Sequence, residues 1–286
     1  MRIMNVAGRL FLEYEGGFVD VAEASGGKFD ADPQAVYDRW AEFREWVNRS
    51  RPAGGESLPD SPLGSPVPRP RQMFAVGFNY ADHSGELGAD LPSRPVLFPK
   101  LPACVSGPAD VVALPSAQVD WEVELVVVIG QDARSVTADE AWRYVAGLTV
   151  GQDLSERAEQ FEGTTPQFSL AKSLPGFGRL GPWLVSVDEF DDPQDLAITC
   201  SLNGVIVQDS RTRHLVFGVG ELIEFLSARV PLFAGDVIFT GTPSGVGFSR
   251  TPPRFLEADD VLVGTIEGIG DLVTRFEARP PGQVMT

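Results

Sequence analysis

The chain has 286 residues, of which 40 are acidic and 23 are basic, so its formal net charge is −17. This excess of acidic side chains argues against binding to nucleic acids or to anionic membranes, because both interactions depend on clustered Lys and Arg. With 43% hydrophobic and 22% charged residues, the composition is typical of a folded globular protein and excludes a disordered chain. This length suits one large domain, or a large domain with a small companion.

Charged residues and glycines interrupt the first 17 residues, so we find no apolar stretch of signal-peptide length. The longest purely apolar runs, such as LVVVI at residues 125–129, are far shorter than the roughly 20 residues that a membrane-spanning helix requires. We therefore expect a cytoplasmic protein. Cys104 and Cys200 lie far apart without a CxxC pattern, so we expect buried, reduced thiols.

The first 50 residues predict a small α/β unit. Residues 9–24 (RLFLEYEGGFVDVAEA) predict strands, with Gly16-Gly17 as the hairpin turn. A helix should follow, because Asp32 is a suitable N-cap and apolar residues then recur at helical spacing. Those apolar residues are Val36, Trp40, Phe43 and Val47. Residues 51–71 are dense in Pro, Gly and Ser, which predicts a linker between an N-terminal domain (1–50) and a main domain (72–286).

Strand patterns dominate the main domain. The predicted strands are MFAVGF, PVLFPK, DVVALP, EVELVVVIG, GLTVGQD, PWLVSV, AITCSLNGVIVQ, DVIFTG and LVGTIEGIG. Asn203-Gly204 is a strong two-residue hairpin signal. Two helices are predicted, one opened by the capping box Thr137–Glu140 and continuing through Val145, the other running from about residue 220 to 229 before Pro231. This pattern favours a β-rich α+β fold.

Several common catalytic motifs are absent from the sequence. It contains no GxSxG nucleophile elbow, no GxGxxG fingerprint and no Walker A motif. With only two histidines, His83 and His214, a zinc site built from several histidines is excluded. Any metal ion must therefore be held mainly by oxygen atoms.

The segment Asp120-Trp-Glu122-Val-Glu124 alternates carboxylates with apolar residues at the start of an apolar run. In a strand, Glu122 and Glu124 project from the same face, with Asp120 at its rim. Two carboxylates so close repel each other unless a cation or water lies between them. A hard cation such as Mg²⁺, Mn²⁺ or Ca²⁺ suits such oxygen ligands. The alternative is an edge strand with a solvated acidic face.

Asp153 ends the predicted strand GLTVGQD, which would bring its carboxylate to the mouth of a loop. The alternative is that Asp153 caps a helix over LSERAEQF. On such a helix Asp153, Arg157 and Gln160 would share one face. Together they could hold a metal ion and an anionic substrate, or form no more than an exposed salt bridge.

The segment GFNYADHSGE supplies a candidate base. His83 and Glu86 would be neighbours in a helical turn, and a carboxylate beside an imidazole raises its basicity. The alternative is an ordinary surface or packed histidine. His214 has no carboxylate at helical spacing, so we expect a structural role for it.

Two further segments carry candidate binding groups. Lys172 lies between apolar residues and a Gly/Pro loop, which predicts partial burial. In GDVIFTGTPSGVGF, a strand runs into a Gly-rich turn whose N–H groups and Thr240 and Thr242 hydroxyls could bind a carboxylate or enolate oxygen. The alternative for this segment is a tight turn without a ligand.

Together and in this order, these segments resemble the fumarylacetoacetate hydrolase family, specifically its shorter bacterial members. The matching segments, over about residues 70–277, are GFNYADH, PVLFPK, DWEVELVVVIG, GQDLSERAEQ, AKSLPGFGRLGPW, SLNG and GDVIFTGTPSGVG. The resemblance implies a mixed β-roll core, usually in a homodimer, with a divalent cation, commonly Mg²⁺, at the mouth of the roll.

The resemblance also implies roles for individual residues. By position, the family's metal ligands match Glu122, Glu124 and Asp153; its water-activating dyad on a closing lid matches His83 and Glu86; its catalytic lysine matches Lys172; and its substrate contacts match Arg157, Gln160 and Thr242. The longest members carry an additional acidic residue near the His-bearing loop, where this chain has Asn79. Fumarylacetoacetate itself is therefore not directly implied as the substrate.

The implied activity is metal-dependent hydrolysis of a C–C bond in a 1,3-dicarbonyl 2-oxo acid, such as an acylpyruvate or fumarylpyruvate. Isomerisation of a 2-hydroxyhepta-2,4-diene-1,7-dioate and decarboxylation of oxaloacetate use related enolate chemistry, and the sequence leaves them open. A third class is a protein that binds the metal and a 2-oxo acid without turnover. In each case the partner is a small anionic 2-oxo acid, and Lys172 and Arg157 would offset its charge.

Overall fold

The computed structural model describes residues 1–52, 54–55, 57–86 and 90–279, except for the side chains of His83 and Ser84. Over these residues the chain forms 18 strands and six α-helices. The strands are β1 (Arg2–Val6), β2 (Arg9–Tyr14), β3 (Gly17–Asp20), β4 (Leu63–Gly64), β5 (Met73–Gly77), β6 (Val96–Lys100), β7 (Val105–Ser106), β8 (Val111–Leu114), β9 (Val119–Asp120), β10 (Val123–Ile129), β11 (Val145–Asp153), β12 (Ser155–Glu156), β13 (Gly178–Val185), β14 (Ala197–Leu202), β15 (Val205–Arg211), β16 (Val237–Phe239), β17 (Val261–Ile266) and β18 (Gly270–Ala278). The helices are α1 (Val21–Ala24), α2 (Trp40–Ser50), α3 (Ala81–Glu86), α4 (Arg157–Gln160), α5 (Phe168–Ala171) and α6 (Val219–Ser227).

Two large sheets make up the framework. The larger has the strand order β3-β2-β1-β13-β11-β10-β16-β5-β6, with β4 beside β1 and β7 beside β13. The second has the order β15-β14-β17-β18-β8, and β9 and β12 form a short third pair. Most neighbours are antiparallel, but β16–β5, β13–β7 and β18–β8 are parallel. The β-rich α+β class with mixed sheets, predicted from the sequence, is confirmed.

Strands β10 and β11 lie at the centre of the larger sheet, and every residue of both is buried. Burial on both faces explains why their sequences are nearly continuous apolar runs. The second sheet packs closely against them at Gly264 of β17, where a Cβ atom would lie only 2.9 Å from the Val123 side chain. The carboxylates carried by these two strands therefore lie inside the protein.

The N-terminal strands extend the larger sheet. Strand β1 pairs with β13 through Arg2 opposite Val185 and Ile3 opposite Leu184. In the predicted linker, Leu63 and Gly64 form β4 and pair with β1. Division of the chain into an N-terminal domain, a linker at 51–71 and a main domain stays a prediction.

The first hairpin turn lies one residue earlier in the chain than predicted. Glu15 and Gly16 occupy the turn with φ of 48° and 81°, and Gly17 already pairs with Tyr14. Both turn residues have positive φ, as a two-residue type I′ turn requires. The predicted Asn203-Gly204 turn is confirmed between β14 and β15, with φ of 52° and 80°.

The predicted helix at residues 137–145 is wrong. Ala141–Tyr144 form a short 3-10 turn, and Val145 begins β11. Thr137 and Glu140 do hydrogen-bond through their side chains at 3.2 Å, but they stabilise only this local turn. Pairing with β10 prevails over the helix, since Val145 lies opposite Ile129 in the central sheet.

The other two predicted helices are present as α2 and α6, the latter ending before Pro231. Helix α2 begins at Trp40, later than predicted, because Asp32 accepts a hydrogen bond from the nearby Gln34 N–H and closes a local turn instead. Among the described residues, no helix has the length and apolar character needed to cross a membrane.

Candidate active site

Three carboxylates meet where the central strands end. Antiparallel pairing places Val123 opposite Gln152, so Glu122 lies beside Asp153, whose N–H donates to the Glu122 carbonyl at 2.9 Å. Glu124 lies two residues after Glu122, in β10. One carboxylate oxygen from each of Glu122, Glu124 and Asp153 lies within 4.8 Å of the others, and all three side chains are buried.

This arrangement excludes the two alternatives considered for these residues. Strand β10 lies between β11 and β16, so Glu122 and Glu124 do not form the solvated face of an edge strand. Asp153 is not a helix cap either, because Glu156 caps α4 by accepting from the Glu159 N–H. Asp153 thus ends β11, as predicted, and the structure brings the three predicted metal ligands together.

The chemistry of this cluster fits a hard divalent cation. Burial, and then the charges of Asp153 and Glu122, raise the pKa of Glu124 well above its usual value, although a 2.7 Å hydrogen bond from the Gly241 N–H acts in the opposite direction. A divalent ion would relieve that repulsion. Three carboxylates without nitrogen or sulfur ligands suit Mg²⁺, Mn²⁺ or Ca²⁺ better than zinc.

Lys172 lies directly against the cluster. Its Nζ donates to Glu122 Oε2 at 2.7 Å, to Asp153 Oδ2 at 2.8 Å and to Ser155 Oγ at 2.7 Å. The side chain is buried, more deeply than the sequence suggested. Short α5, which ends at Ala171, delivers Lys172 to this position.

A second buried lysine was missed by the sequence analysis. Lys100, the last residue of β6, donates from Nζ to Asp153 Oδ1 at 2.6 Å and to the Lys172 carbonyl. Burial alone would lower the pKa of Lys100, but the charge of Asp153 raises it above its usual value overall. The sequence does contain a signal for Lys100, because this lysine ends the apolar strand PVLFPK. A lysine that is buried with such a strand requires a charged partner.

Arg157 is held by carboxylates of the protein. Its Nε and Nη2 donate to Asp120 Oδ2 at 2.9 and 2.8 Å, and Nη2 also donates to Glu122 Oε1 at 2.8 Å. Burial would lower the pKa of Arg157, but Asp120 and Glu122 raise it overall. Asp120 is fully buried and also accepts from the Gly247 N–H, so it is an internal anchor and not a residue at a rim.

Gln160 and Thr242 complete the predicted substrate contacts. Gln160 Oε1 accepts from Arg157 Nη1 at 2.8 Å, which leaves its NH₂ group to donate to a ligand. The Thr242 hydroxyl donates to the Val123 carbonyl at 2.9 Å and accepts from Gln208 Nε2 at 2.8 Å. The hydroxyl proton is therefore engaged by a backbone carbonyl of β10. Thr242 can offer a ligand only an acceptor lone pair or its backbone groups.

Helix α3 contains His83 and Glu86, so the backbone makes the helical turn on which their pairing depends. Glu86 Oε1 accepts from Ser249 Oγ at 2.6 Å, and both Glu86 oxygens lie 3.2 Å from the Gly245 nitrogen, so α3 contacts the Gly-rich loop. The His83 side chain lies outside the described part of the structure. Its pairing with Glu86 stays a prediction.

Thr240, Asn79 and His214 were also considered from the sequence. The Thr240 hydroxyl donates to the Leu125 carbonyl at 2.9 Å, so its proton is used within the fold. Asn79 donates to the Thr240 and Phe217 carbonyls and accepts from the Phe217 N–H, so its amide joins segments of the fold. His214 is exposed in a 3-10 turn beside Ser210, in agreement with a role outside the site.

A cavity of about 280 Å³ opens onto the carboxylate cluster. The polar part of its wall comprises Glu122, Arg157, Gln160, Lys172 and Thr242. The rest is mainly aromatic, from Phe78, Phe98, Phe161, Phe168 and Phe248. Acidic ligands, buried cations and an apolar chamber are thus combined at one place, as in a binding site for a small organic anion.

The model of the fumarylacetoacetate hydrolase C-terminal family matches residues 72–277 of this chain. The mitochondrial oxaloacetate tautomerase FAHD2A of Bos taurus is 43% identical over 213 residues, which cover 74% of this chain and 68% of that protein.

Solved structures are similar over almost the whole chain. A Mycobacterium smegmatis protein provisionally assigned as HpcE is 50% identical, with a TM-score of 0.93 and coverage of 98% of this chain and 100% of that one. The maleylpyruvate hydrolase of Sphingobium sp. SYK-6, solved with manganese(II) and pyruvate, is 26% identical with a TM-score of 0.81 and coverage of 98% and 100%. The N-terminal strands are thus included in the shared architecture.

Proposed function

Because the chain belongs to the fumarylacetoacetate hydrolase family, we propose that it is a divalent-metal-dependent hydrolase that cleaves a C–C bond in a 1,3-dicarbonyl 2-oxo acid. The main support is the buried cluster of Glu122, Glu124 and Asp153, which Lys172 contacts. Glu122 and Lys172 also line a cavity. Family members include a hydrolase, an isomerase and a tautomerase, so enzymatic activity as such is common to the relatives.

The charges of the site favour an anionic ligand once a cation is bound. Four buried carboxylates, from Asp120, Glu122, Glu124 and Asp153, accompany three buried cations, from Lys100, Lys172 and Arg157. Counted as ionised groups, they leave a net charge of −1, and a divalent ion would change it to +1. A 2-oxo carboxylate would then enter a site of opposite charge.

A Mg²⁺, Mn²⁺ or Ca²⁺ ion held by the three predicted ligands would supply Lewis acidity toward the carboxylate and 2-oxo oxygens of the substrate. Lys172 and Lys100 keep Glu122 and Asp153 in place. Gln160 can donate from its NH₂ group to a substrate carbonyl oxygen. The contact with Gln160 would orient the substrate before any bond is broken.

The proposed reaction needs one water molecule. His83, oriented by Glu86, takes a proton while the water oxygen bonds to the distal acyl carbon. The bond from that carbon to the neighbouring CH₂ breaks, and its electron pair becomes the enolate of pyruvate. Protonation at carbon gives pyruvate, and the acyl group leaves as a carboxylic acid.

Keto–enol tautomerisation of oxaloacetate is the second candidate, favoured by the 43% identity to the oxaloacetate tautomerase of Bos taurus. It would use the same ligands and cations but no attacking water. Isomerisation of a hydroxydienedioate and decarboxylation of oxaloacetate are related outcomes at this site. A protein that binds the metal ion and a 2-oxo acid without turnover is less well supported. The chain has the candidate base His83 with Glu86, and binding alone needs no base.

Steady-state assays should separate these functions. Acylpyruvates, oxaloacetate enol and 2-hydroxyhepta-2,4-diene-1,7-dioate would be compared with Mg²⁺, with Mn²⁺ and with EDTA, for the wild type and for His83→Ala. We expect pyruvate release from acylpyruvates, lost in EDTA and in His83→Ala. Tautomerisation without C–C cleavage would assign the second function, and stabilisation by Mg²⁺ and oxalate without any turnover would assign a binding protein.

The homodimer and the cytoplasmic location are proposals as well. The homodimer rests on the family resemblance, and the location rests on the sequence pattern. Sedimentation equilibrium across a tenfold concentration range would test the dimer, because a mass near 30.9 kDa at all concentrations would contradict it.

A further inference from the structure

The apolar wall of the cavity is organised as two pairs of phenylalanine rings. Phe98 and Phe168 have ring centres 5.4 Å apart, and Lys172 Nζ lies 5.6 Å from the centre of Phe98. Phe161 and Phe248 are also 5.4 Å apart, and the Arg157 guanidinium lies 5.0 Å from Phe248. Both cations of the cavity are thus next to aromatic surface, which a flat apolar group could cover.

Nearly all hydrogen-bond donors of Lys172 and Arg157 are already used within the protein. Lys172 uses its three donors on Glu122, Asp153 and Ser155. Of the five N–H donors of Arg157, the one on Nε and both on Nη2 face Asp120 and Glu122, and one on Nη1 faces Gln160. Among the described lining residues these are the only cationic side chains, so the wall offers little to a second carboxylate.

The exposure of Phe161 also indicates an apolar ligand. Its side chain is 44% exposed at the mouth of the cavity, although it follows directly after the buried Gln160. A large exposed apolar group costs free energy that a covering apolar ligand would recover. Beside it, the Gln160 NH₂ is a neutral donor, which suits a ketone oxygen better than a carboxylate.

The geometry points to a substrate class: a 2,4-dioxo acid with a single carboxylate, whose acyl group is apolar and preferably aromatic. This inference rests on the proposed function, since the carboxylate and 2-oxo group are assigned to the metal end of the cavity. The volume of about 280 Å³ lies just below the range of ~300–1,000 Å³ for small-molecule pockets, and suits a molecule with one ring. Aroylpyruvates fit this description, whereas fumarylpyruvate and other diacids carry a charge into the aromatic wall.

Binding of two uncleavable probes tests the inference without turnover. 2-Oxo-4-phenylbutanoate and 2-oxoglutarate share the same 2-oxo acid head but end in a phenyl ring and a carboxylate, respectively. Calorimetry with the Mg²⁺-loaded protein should show at least about 10-fold tighter binding of the phenyl probe. Equal or tighter binding of 2-oxoglutarate would overturn the substrate class.

Two substitutions at the exposed Phe161 sharpen the test. Phe161→Arg adds a cation at the mouth and should lower the preference for the phenyl probe by at least about 5-fold. Phe161→Leu keeps an apolar side chain and serves as the matched control, with a preference within about 2-fold of the wild type. A preference unchanged in Phe161→Arg would contradict the assignment of the tail to this wall.

Failure of the inference can be distinguished from failure of the proposed function. If both probes bind only with Mg²⁺ but without discrimination, the substrate class is wrong and the metal-dependent 2-oxo acid site stands. If neither probe binds with Mg²⁺, both are wrong. Hydrolysis adds a further check, since kcat/KM should be higher for benzoylpyruvate than for fumarylpyruvate.

Discussion

The ammonium of Lys100 lies 2.6 Å from Asp153 Oδ1, with both side chains fully buried. Lys172 approaches the other oxygen of the same carboxylate at 2.8 Å. Asp153 is therefore fixed from both sides by cations on different segments of the chain. Its position as a proposed metal ligand depends on this pairing as well as on strand β11.

Replacement of Lys100 by Met should destabilise the protein, because it leaves Asp153 beside two other carboxylates with one cation fewer. Removal of one partner of a buried ion pair costs about 3–5 kcal/mol. Urea unfolding in EDTA would measure the loss, and Mg²⁺ should recover part of it. Lys28→Met is the matched control at an exposed lysine, and an equally small effect of both changes would contradict the role of Lys100.

Glu124→Gln should separate two effects of the carboxylate cluster: the mutual repulsion of its charges, and its binding of Mg²⁺. The substitution keeps an acceptor for the Gly241 N–H and removes the charge that burial and Asp153 disfavour. We expect the metal-free variant to have a higher Tm than the metal-free wild type. We also expect it to lose most of the increase in Tm that Mg²⁺ gives to the wild type.

Thermal unfolding without Mg²⁺ and with Mg²⁺ at a saturating concentration measures both parts, because a ligand that binds only the folded state raises Tm. Glu162→Gln, at an exposed acidic residue near α4, is the control and should retain the full response to Mg²⁺. A Glu124→Gln protein that responds to Mg²⁺ like the wild type would argue against Glu124 as a ligand.

The sequence predicted much of this site because strand periodicity and strand ends are local properties. The alternation in Glu122-Val123-Glu124 and the end of GLTVGQD at Asp153 follow from the residues themselves. The pairing of Asp120 with Arg157 could not be predicted in this way, since it depends on the Gly247 and Phe248 N–H groups. The same holds for Lys100, which reaches Asp153 from another strand.

The errors in secondary structure have a similar origin. The capping box at Thr137–Glu140 is a real local signal, but the following residues are required by the central sheet, so only a 3-10 turn forms. The hydrogen bonds of the Thr242 hydroxyl to the Val123 carbonyl and to Gln208 also depend on distant segments, so no local pattern predicts them. Local propensity is overridden where a long-range partner is buried.

Neither thiol should react in the native protein. Burial raises the pKa of Cys200 to about 12, and Cys104, also buried, has a raised pKa from the same cause. Because the thiolate is the reactive form, its fraction at pH 8 is only on the order of 10⁻⁴ for Cys200. Titration with DTNB should give almost no reaction under native conditions and two thiols per chain in guanidinium chloride. Rapid native reaction at pH 8 would show that the thiols are accessible.

Ser249→Ala should weaken the contact between α3 and the Gly-rich loop. The lost hydrogen bond to Glu86 is short, at 2.6 Å, but exposed, so it contributes only about 0.5–1 kcal/mol. We expect faster amide hydrogen exchange in α3 and a KM raised by about 2–5-fold, with a smaller effect on kcat. Ser210→Ala, at a hydroxyl beside His214, is the control. Exchange in α3 that is equal in both variants would contradict this role of Ser249.

Gln208 should act as a positioning residue for β10. Its Oε1 accepts from the Val123 N–H at 3.1 Å, and its Nε2 donates to Thr242 Oγ1, so it holds the backbone between Glu122 and Glu124. Gln208→Met keeps the length of the side chain but removes both contacts. We expect about 10-fold weaker Mg²⁺ binding by calorimetry, because groups that orient metal ligands typically contribute 10–100-fold to affinity. Gln194→Met, at an exposed glutamine, should leave the affinity unchanged. Loss of stability without loss of Mg²⁺ affinity would limit Gln208 to a structural role.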